Sequence, residues 1–162
     1  MNYSALFKCL YLNNVDYLIC GGLAVNLHGV PRMTADVDII IDLTPDNLKK
    51  FESCTNKLNY KLSVPIQLND IADEVKRKSI IQTKNLVALS FYNYDSNYIT
   101  LDVLIDFPIP FEEMRNERAT RKSGAFEIYL VSVDHLIKLK EYANRIQDQQ
   151  DIYFLSRIKN GI

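Results

Sequence analysis

The chain has 162 residues, which is enough for one domain with a real hydrophobic core and too few for two comfortable ones. An apolar content of 48%, a charged content of 24% and a net charge of −1 are ordinary for a globular protein, and they exclude an overall basic field for nucleic-acid or membrane binding. The three cysteines lack metal-type spacing, and neither a signal-peptide pattern nor a membrane-length apolar run is visible. These features predict a cytoplasmic protein without a membrane segment.

The first half of the chain alternates short helices and strands. Helical spacing of apolar residues predicts the helices, and unbroken runs rich in β-branched residues predict the strands. Thr44 as N-cap and Pro45 in the first turn mark the start of a longer helix. The predicted elements are a helix over residues 3–12, a strand over 16–20 stopped by Gly21-Gly22, a helix over 23–29, a strand over 36–41, a helix from 44, an extended segment over 59–66 and a helix over 69–82.

The second half begins with paired strands and ends in helices. Residues 86–107 predict a hairpin that turns across residues 94–97, and residues 118–131 predict a second strand pair that turns at Ser123-Gly124. Ser132 caps a helical segment that we expect to break near Arg145. We therefore predict an α/β (α+β) fold in a single domain over residues 1–162, with a mixed β-sheet flanked by helices and a C-terminal helical segment from about residue 132.

Asp36 and Asp38 lie two residues apart in the predicted strand over residues 36–41. Residues i and i+2 of a strand face the same side, so their Cα atoms would be about 6.5 Å apart. At an effective dielectric of about 20, the two charges would repel by about 2.5 kcal/mol. A solvent-facing edge strand is one explanation, but apolar Ile40 follows on the same side. A divalent cation such as Mg²⁺, which takes oxygen ligands and holds substrate phosphates, explains the pair better.

A third carboxylate would have to converge on such a metal site. Asp102 interrupts an apolar strand, because Leu101 and Val103 face the other side. Asp106 lies further along on the same face, but it precedes Phe107 and a proline and is typical of a residue that closes a strand. We therefore expect Asp102 to be the third ligand.

This ordered set of motifs resembles the nucleotidyltransferase superfamily of the polymerase-β type. The set comprises Gly21-Gly22 before a short helix, then Arg32-x-Thr34-x-Asp36-x-Asp38, and later Asp102 between apolar residues. Within that superfamily, the chain resembles small bacterial nucleotidyltransferase-like proteins, including those of abortive-infection and type IV toxin–antitoxin systems. The resemblance is weakest over residues 59–85.

The resemblance implies a role for each matching residue. Asp36, Asp38 and Asp102 would be catalytic and would bind two Mg²⁺ or Mn²⁺ ions. Gly21 and Gly22 would let backbone N–H groups approach the nucleotide phosphates, although a plain tight turn also explains them. Most of the superfamily has Ser at the second glycine.

Arg32 and Thr34 precede the aspartates and have two explanations each. Arg32 would bind a phosphate as a charged fork or lie in a surface loop. Thr34 would contact the nucleotide or simply begin the strand.

Lys140 lies on the apolar stripe of the C-terminal helix formed by Val133, Leu136, Ile137 and Ala143. Either its ammonium group snorkels to water or it is a catalytic residue that binds the nucleotide phosphate.

Two further patterns surround Lys140. Lys138 is expected to pair with Asp134 at spacing i, i+4 on the surface. The segment with Lys140, Ala143, Arg145, Asp148 and Asp151 resembles a late motif of the toxin-like families, in which Asp148 or Asp151 would hold Lys140 or Arg145 in place. A solvated helix face is the alternative.

The remaining candidates are weaker. His28 follows Gly21-Gly22 and is close enough in sequence for contact with a nucleotide, and the basic residues Lys76, Arg77, Lys78 and Lys84 could contact RNA phosphates. A solvated helix explains the basic residues better.

The expected function is metal-dependent transfer of a nucleoside monophosphate from an NTP, ATP among them, to a hydroxyl group. The acceptor stays open among tRNA or another RNA end, a protein and a small molecule, and a partner protein such as an antitoxin or toxin could supply it. We expect no membrane contact and no recognition of DNA sequence. The alternative is a component of a toxin–antitoxin system that binds a nucleotide or a partner without catalysis.

Overall fold

The computed structural model of the protein describes residues 3–93 and 100–161, so the turn predicted across residues 94–97 lies outside the described residues. The described helices are α1 (Ser4–Leu12), α2 (Gly21–Leu27), α3 (Pro45–Lys57), α4 (Glu74–Lys84), α5 (Phe111–Asn116), α6 (Val133–Ala143) and α7 (Ile146–Lys159), with a 3-10 turn over Leu68–Ile71. The described strands are β1 (Tyr17–Ile19), β2 (Val37–Ile41), β3 (Tyr60–Leu62), β4 (Ala88–Asn93), β5 (Thr100–Leu104), β6 (Ala119–Ser123) and β7 (Phe126–Leu130).

The strands form one mixed sheet in the order β3-β4-β5-β2-β1-β7-β6. β2 pairs in parallel with β5 and β1 with β7, whereas the other neighbours are antiparallel. The predicted α/β class with a mixed sheet is therefore confirmed. β2 lies between β5 and β1, so the edge-strand explanation of the aspartates is wrong.

The centre of the sheet forms the core. All three residues of β1 and four of the five in β2 are buried, because unbroken apolar runs can be covered on both faces. Around it α1 packs against β7 and α3, and α2 packs against β2 and α6. The contact between α2 and α6 brings the segment after β1 next to the C-terminal helices.

Some boundaries differ from the sequence prediction. β2 begins at Val37, so Asp36 lies in the bend before the strand, and Thr34 does not begin it. Gly21 and Gly22 form the first turn of α2 instead of a turn before it. α5 was not predicted, because it has only six residues and follows Pro110.

The predicted helix break near Arg145 is confirmed. Asn144 ends α6 with φ of 48° in the left-handed region, and Arg145 is the N-cap of α7. Asparagine tolerates this conformation better than most residues other than glycine. Within residues 3–93 and 100–161, no helix has the length and apolar character needed to cross a membrane.

Candidate active site

Two aspartates lie side by side on the central strands. The parallel pairing of β2 and β5 places Asp38 directly beside Asp102, and β4 places Ser90 opposite Asp102 on the other side. Residues in register on neighbouring strands point to the same face of the sheet. The two carboxylates and the Ser90 hydroxyl therefore form a polar row across three strands.

Among the described residues, no lysine or arginine forms an ion pair with either aspartate of this row. Burial is the largest cause that raises the pKa of Asp38, and the charge of Asp102 raises it further. Burial also raises the pKa of Asp102, with Asp36 adding to it and Ser90 opposing it. Oδ1 of Asp102 is buried and has no hydrogen-bond partner. A buried carboxylate oxygen without a donor, beside a second carboxylate, is a favourable position for a cation.

The donor chemistry of the row fits a hard divalent ion, but the protein does not supply a complete set of ligands. In the described parts of the chain, no group of three or more His, Cys, Asp or Glu side chains is arranged to hold a metal ion. Mg²⁺ commonly takes one or two protein carboxylates and completes its shell with water and substrate phosphates. Asp38 and Asp102 match that pattern.

Gly21 and Gly22 allow the chain to pass close to the aspartates. Gly21 has φ of +58°, and a Cβ atom there would collide with Oδ2 of Asp38. A Cβ atom at Gly22 would lie 2.6 Å from Nη1 of Arg32 and 2.8 Å from Oγ1 of Thr34. A hydrogen bond from the Gly22 backbone also lowers the pKa of Asp38. The two glycines therefore make room for the side chains predicted to act in the site.

Arg32 is held against the C-terminal helices instead of pointing out of a surface loop. Its Nη1 atom lies 3.1 Å from Oδ2 of Asp151, and its backbone N–H donates to Oδ1 of Asn26 at 2.7 Å. Thr34 donates to the carbonyl of Asp36 at 3.2 Å. The segment before β2 is thus fixed by polar contacts at both ends.

Lys140 is buried between two carboxylates. Its Nζ atom donates to Oδ2 of Asp151 at 2.6 Å and to Oδ1 of Asp148 at 3.2 Å, and only 3% of the residue is exposed. The snorkelling explanation is therefore wrong. The expected pair of Lys138 with Asp134 is wrong too, because the Asp134 carboxylate pairs with Lys159 of α7 instead.

Arg145 was not among the predicted site residues. Its Nε donates to Oδ2 of Asp148 at 2.8 Å, yet 59% of its side chain is exposed. Its charge lowers the pKa of Asp38. The late motif was the signal, because it already placed Arg145 beside Asp148 or Asp151, but the nearness to Asp38 depends on how α7 folds back.

These residues border a cleft of about 460 Å³ between the sheet and α6. Of the predicted site residues, Gly21, Asp38, Asp102 and Lys140 line it, and Arg145 lines it beside them. Gly22, Arg32, Thr34 and Asp36 lie next to these without lining the cavity. The volume is typical of small-ligand sites.

The weaker candidates have structural partners. Lys76 pairs with Asp70 and Lys78 with Glu74 on an exposed helix, and Nε2 of His28 lies 2.8 Å from the Val131 carbonyl oxygen. The solvated-helix interpretation of the basic residues is thus favoured.

Several solved structures with a similar fold are nucleotidyltransferases or nucleotidyltransferase-like proteins. The lincosamide antibiotic adenylyltransferase LnuA, bound to lincomycin, is 18% identical with a TM-score of 0.60, covering 98% of each chain. ANT(2")-Ia in complex with adenylyl-2"-tobramycin is 12% identical with a TM-score of 0.58, covering 96% of this chain and 85% of its own. An antigenic nucleotidyltransferase-like protein from Paracoccidioides brasiliensis is 19% identical with a TM-score of 0.55, covering 94% and 72%.

The chain has a nucleotidyltransferase fold. No family model matches the sequence, and no curated protein matches it either. At these low identities the likeness shows the fold, which confirms the fold expected from the resemblance. The nucleotidyltransferase fold of this chain spans nearly the whole length of LnuA.

Proposed function

We propose that the protein is a nucleotidyltransferase that moves a nucleoside monophosphate from an NTP to a hydroxyl group. The acceptor oxygen bonds to the α-phosphorus, the bond from that phosphorus to the β-phosphate oxygen breaks, and pyrophosphate and the hydroxyl proton leave. The observation that carries this proposal is the pair of half-buried carboxylates, Asp38 and Asp102, in a ligand-sized cleft of this fold. Two adjacent acids with raised pKa values are a common property of catalytic sites.

Asp38 and Asp102 would hold Mg²⁺ or Mn²⁺, with Asp36 at the mouth of the strand and phosphate oxygens as further ligands. When bound, the ion would neutralise phosphate charge and lower the pKa of the acceptor hydroxyl. The unpartnered Oδ1 of Asp102 supports this assignment.

The chain's own cations would position the triphosphate. Arg145 is exposed to the cleft and would contact phosphate oxygens directly, with the N–H groups near Gly21 beside it. Lys140 lines the same cleft and adds positive charge to its wall, and its bonds to Asp148 and Asp151 fix its position. Arg32 would act indirectly, because it contacts Asp151, which in turn holds Lys140.

A small hydroxylated molecule is the acceptor that the comparisons favour. LnuA is a lincosamide antibiotic adenylyltransferase with lincomycin bound, and the ANT(2")-Ia structure contains adenylyl-2"-tobramycin. Neither tRNA nor a protein acceptor has comparable support. The toxin–antitoxin alternative stays a prediction, and the incomplete metal-ligand set is the observation in its favour.

The test is incubation with Mg²⁺ or Mn²⁺ and each α-labelled NTP, with a library of hydroxylated small molecules, total tRNA and cell extract in separate reactions. We expect label on a small molecule and release of pyrophosphate. The Asp102→Asn variant is the matched blank. Tight NTP binding without transfer to any acceptor would instead support the non-catalytic alternative.

A further inference from the structure

The cleft changes character along its length. The polar row of Asp38, Ser90 and Asp102 is followed on the same face by an apolar row, because Leu104 of β5 pairs with Ile40 of β2 and Ala88 of β4. From α6, Leu136, Leu139 and Ala143 line the opposite wall. One part of the cleft is therefore apolar on both walls.

This apolar part ends at a carboxylate. Asp106 lies just beyond β5, where its backbone N–H donates to the carbonyl of Val87 at 3.3 Å. Its Oδ2 accepts a hydrogen bond from the hydroxyl of Tyr142 at 3.1 Å. Among the residues that the structure describes, no lysine, arginine or histidine forms an ion pair with Asp106. The nearby cations of the cleft, Lys140 and Arg145, are bound to Asp148 and Asp151.

The charges assign the two parts of the cleft to different ligands. A triphosphate carries several negative charges and is attracted to the part with Arg145 and Lys140, whereas Asp106 repels it. A positively charged group has the opposite preference. The apolar walls between these ends add the burial of an apolar group.

We infer that the part of the cleft lined by Ala88, Leu104, Leu136, Leu139 and Ala143 and closed by Asp106 and Tyr142 is the acceptor subsite, and that it binds an amphipathic small molecule with a protonated amine and a hydroxyl group. The amine binds Asp106, the apolar part packs between the sheet and α6, and the hydroxyl faces Asp102. This inference rests on the proposed function.

The test is direct binding by calorimetry, with no NTP present, of amino alcohols of increasing alkyl-chain length, each compared with its N-acetylated form. We expect the amines to bind wild-type protein about tenfold to a hundredfold more tightly than the neutral forms, because a charge-assisted hydrogen bond is lost on acetylation. Asp106→Asn removes this preference. Glu141→Gln, a neighbouring exposed acid on α6, keeps it and is the matched control.

Equal affinity for the amine and its acetylated form, or a preference that persists in Asp106→Asn, would overturn the inference. A loss of NTP affinity in Asp106→Asn, with acceptor binding unchanged, would overturn it too and assign this part to the nucleobase. Asp102→Asn separates the two proposals, because we expect it to abolish transfer and keep amine binding. If wild type shows no transfer but keeps the preference for the amine, the proposed activity is refuted and the amine-binding site stands.

Discussion

Two pairs of acids border the cleft, and their surroundings differ: Asp148 and Asp151 are buried, whereas Asp38 and Asp102 are half-buried. Burial would raise the pKa of Asp148, but hydrogen bonds from Arg145 and Lys140 outweigh it, and the pKa is lowered. Burial raises the pKa of Asp38 and Asp102, and each of them receives further repulsion from neighbouring aspartates. The first pair forms ion pairs within the chain. Among the described residues Asp38 and Asp102 form none, although the charge of Arg145 opposes the repulsion at Asp38.

This difference indicates that the paired cluster has a structural role beside the one proposed for its cations in the cleft, whereas the unpaired carboxylates are suited to binding a ligand. Lys140, Arg145 and Arg32 connect α6, α7 and the segment before β2 through Asp148 and Asp151. A paired cluster of this kind fixes helices relative to the sheet. An unpaired cluster lowers stability and is retained where a ligand supplies the missing charge.

The largest effect is expected from Lys140→Met, which leaves two buried carboxylates without their shared cation. Breaking a buried ion pair from one side costs about 3–5 kcal/mol, so the free energy of unfolding should fall by that amount in urea titrations. NTP affinity should fall as well, since the cleft loses the positive charge that Lys140 adds to it. Lys138→Met, an exposed neighbour, should change stability by less than about 0.5 kcal/mol. If Lys140→Met and Lys138→Met lower the free energy of unfolding by equally small amounts, the paired cluster is not structural.

Asp102→Asn should lower the transfer activity without lowering the stability. Transfer should fall by about a thousandfold, because a metal ligand worth several kcal/mol in the transition state is lost. The free energy of unfolding should stay the same or rise, since one of two repelling carboxylates becomes neutral. Comparison of initial rates with urea titrations on the same preparation checks both. A variant that loses stability along with activity would assign Asp102 to the structure.

The two clusters should also respond to different ranges of pH. A carboxyl group with a raised pKa in the folded state binds its proton more tightly there than in the unfolded chain. The repulsion between Asp38 and Asp102 should therefore fade as pH falls from neutral toward the ordinary carboxyl value of 3.8. The stability difference between Asp102→Asn and wild type should be largest at neutral pH and shrink over this range.

Asp148 has a lowered pKa, so its contribution to stability is present above 3.8 and is lost as pH falls below that value. Urea titrations of wild type and Asp148→Asn across the acid range measure this. A stability difference between these two proteins that narrows already above pH 5 would contradict the assignment.

The smallest effect is expected from Gly22→Ala. The new methyl group would displace the guanidinium of Arg32 from Asp151, at a cost of about 1 kcal/mol. A double-mutant cycle with Arg32→Ala checks the cause, because the two changes should be clearly non-additive if Gly22 acts through Arg32. Additive losses would mean that the glycine serves the helix backbone instead.

Much of the fold could be predicted because the apolar pattern of each strand is local in the sequence. The apolar run around Asp38 and the apolar neighbours of Asp102 predicted two strands, and their pairing in the sheet brought these aspartates together. The sequence predicts Gly21-Gly22 before α2 instead of within it, because glycine has a low helix propensity.

The partners of Lys140 could be predicted only in part. Its place on an apolar stripe was visible in the sequence, and so were the nearby aspartates. Whether it reached water, phosphate or those aspartates depended on how α7 folds back after the break at Asn144. For the same reason Asp134 pairs with Lys159 of α7 instead of its helical neighbour Lys138. Contacts between helices outweighed the local spacing rule.

The order of the elements also has a consequence for the protein while it is being made. The aspartate row is complete once Asp102 has been synthesised, but Lys140 and Arg145, and the acids that fix them, follow over roughly fifty more residues. At about 5–20 residues per second, the ribosome needs several seconds for that stretch. Any sheet that β2, β4 and β5 form during this interval has the acidic floor of the cleft without its cationic wall. It should bind no triphosphate, so the activity would begin only when α7 folds back onto α6.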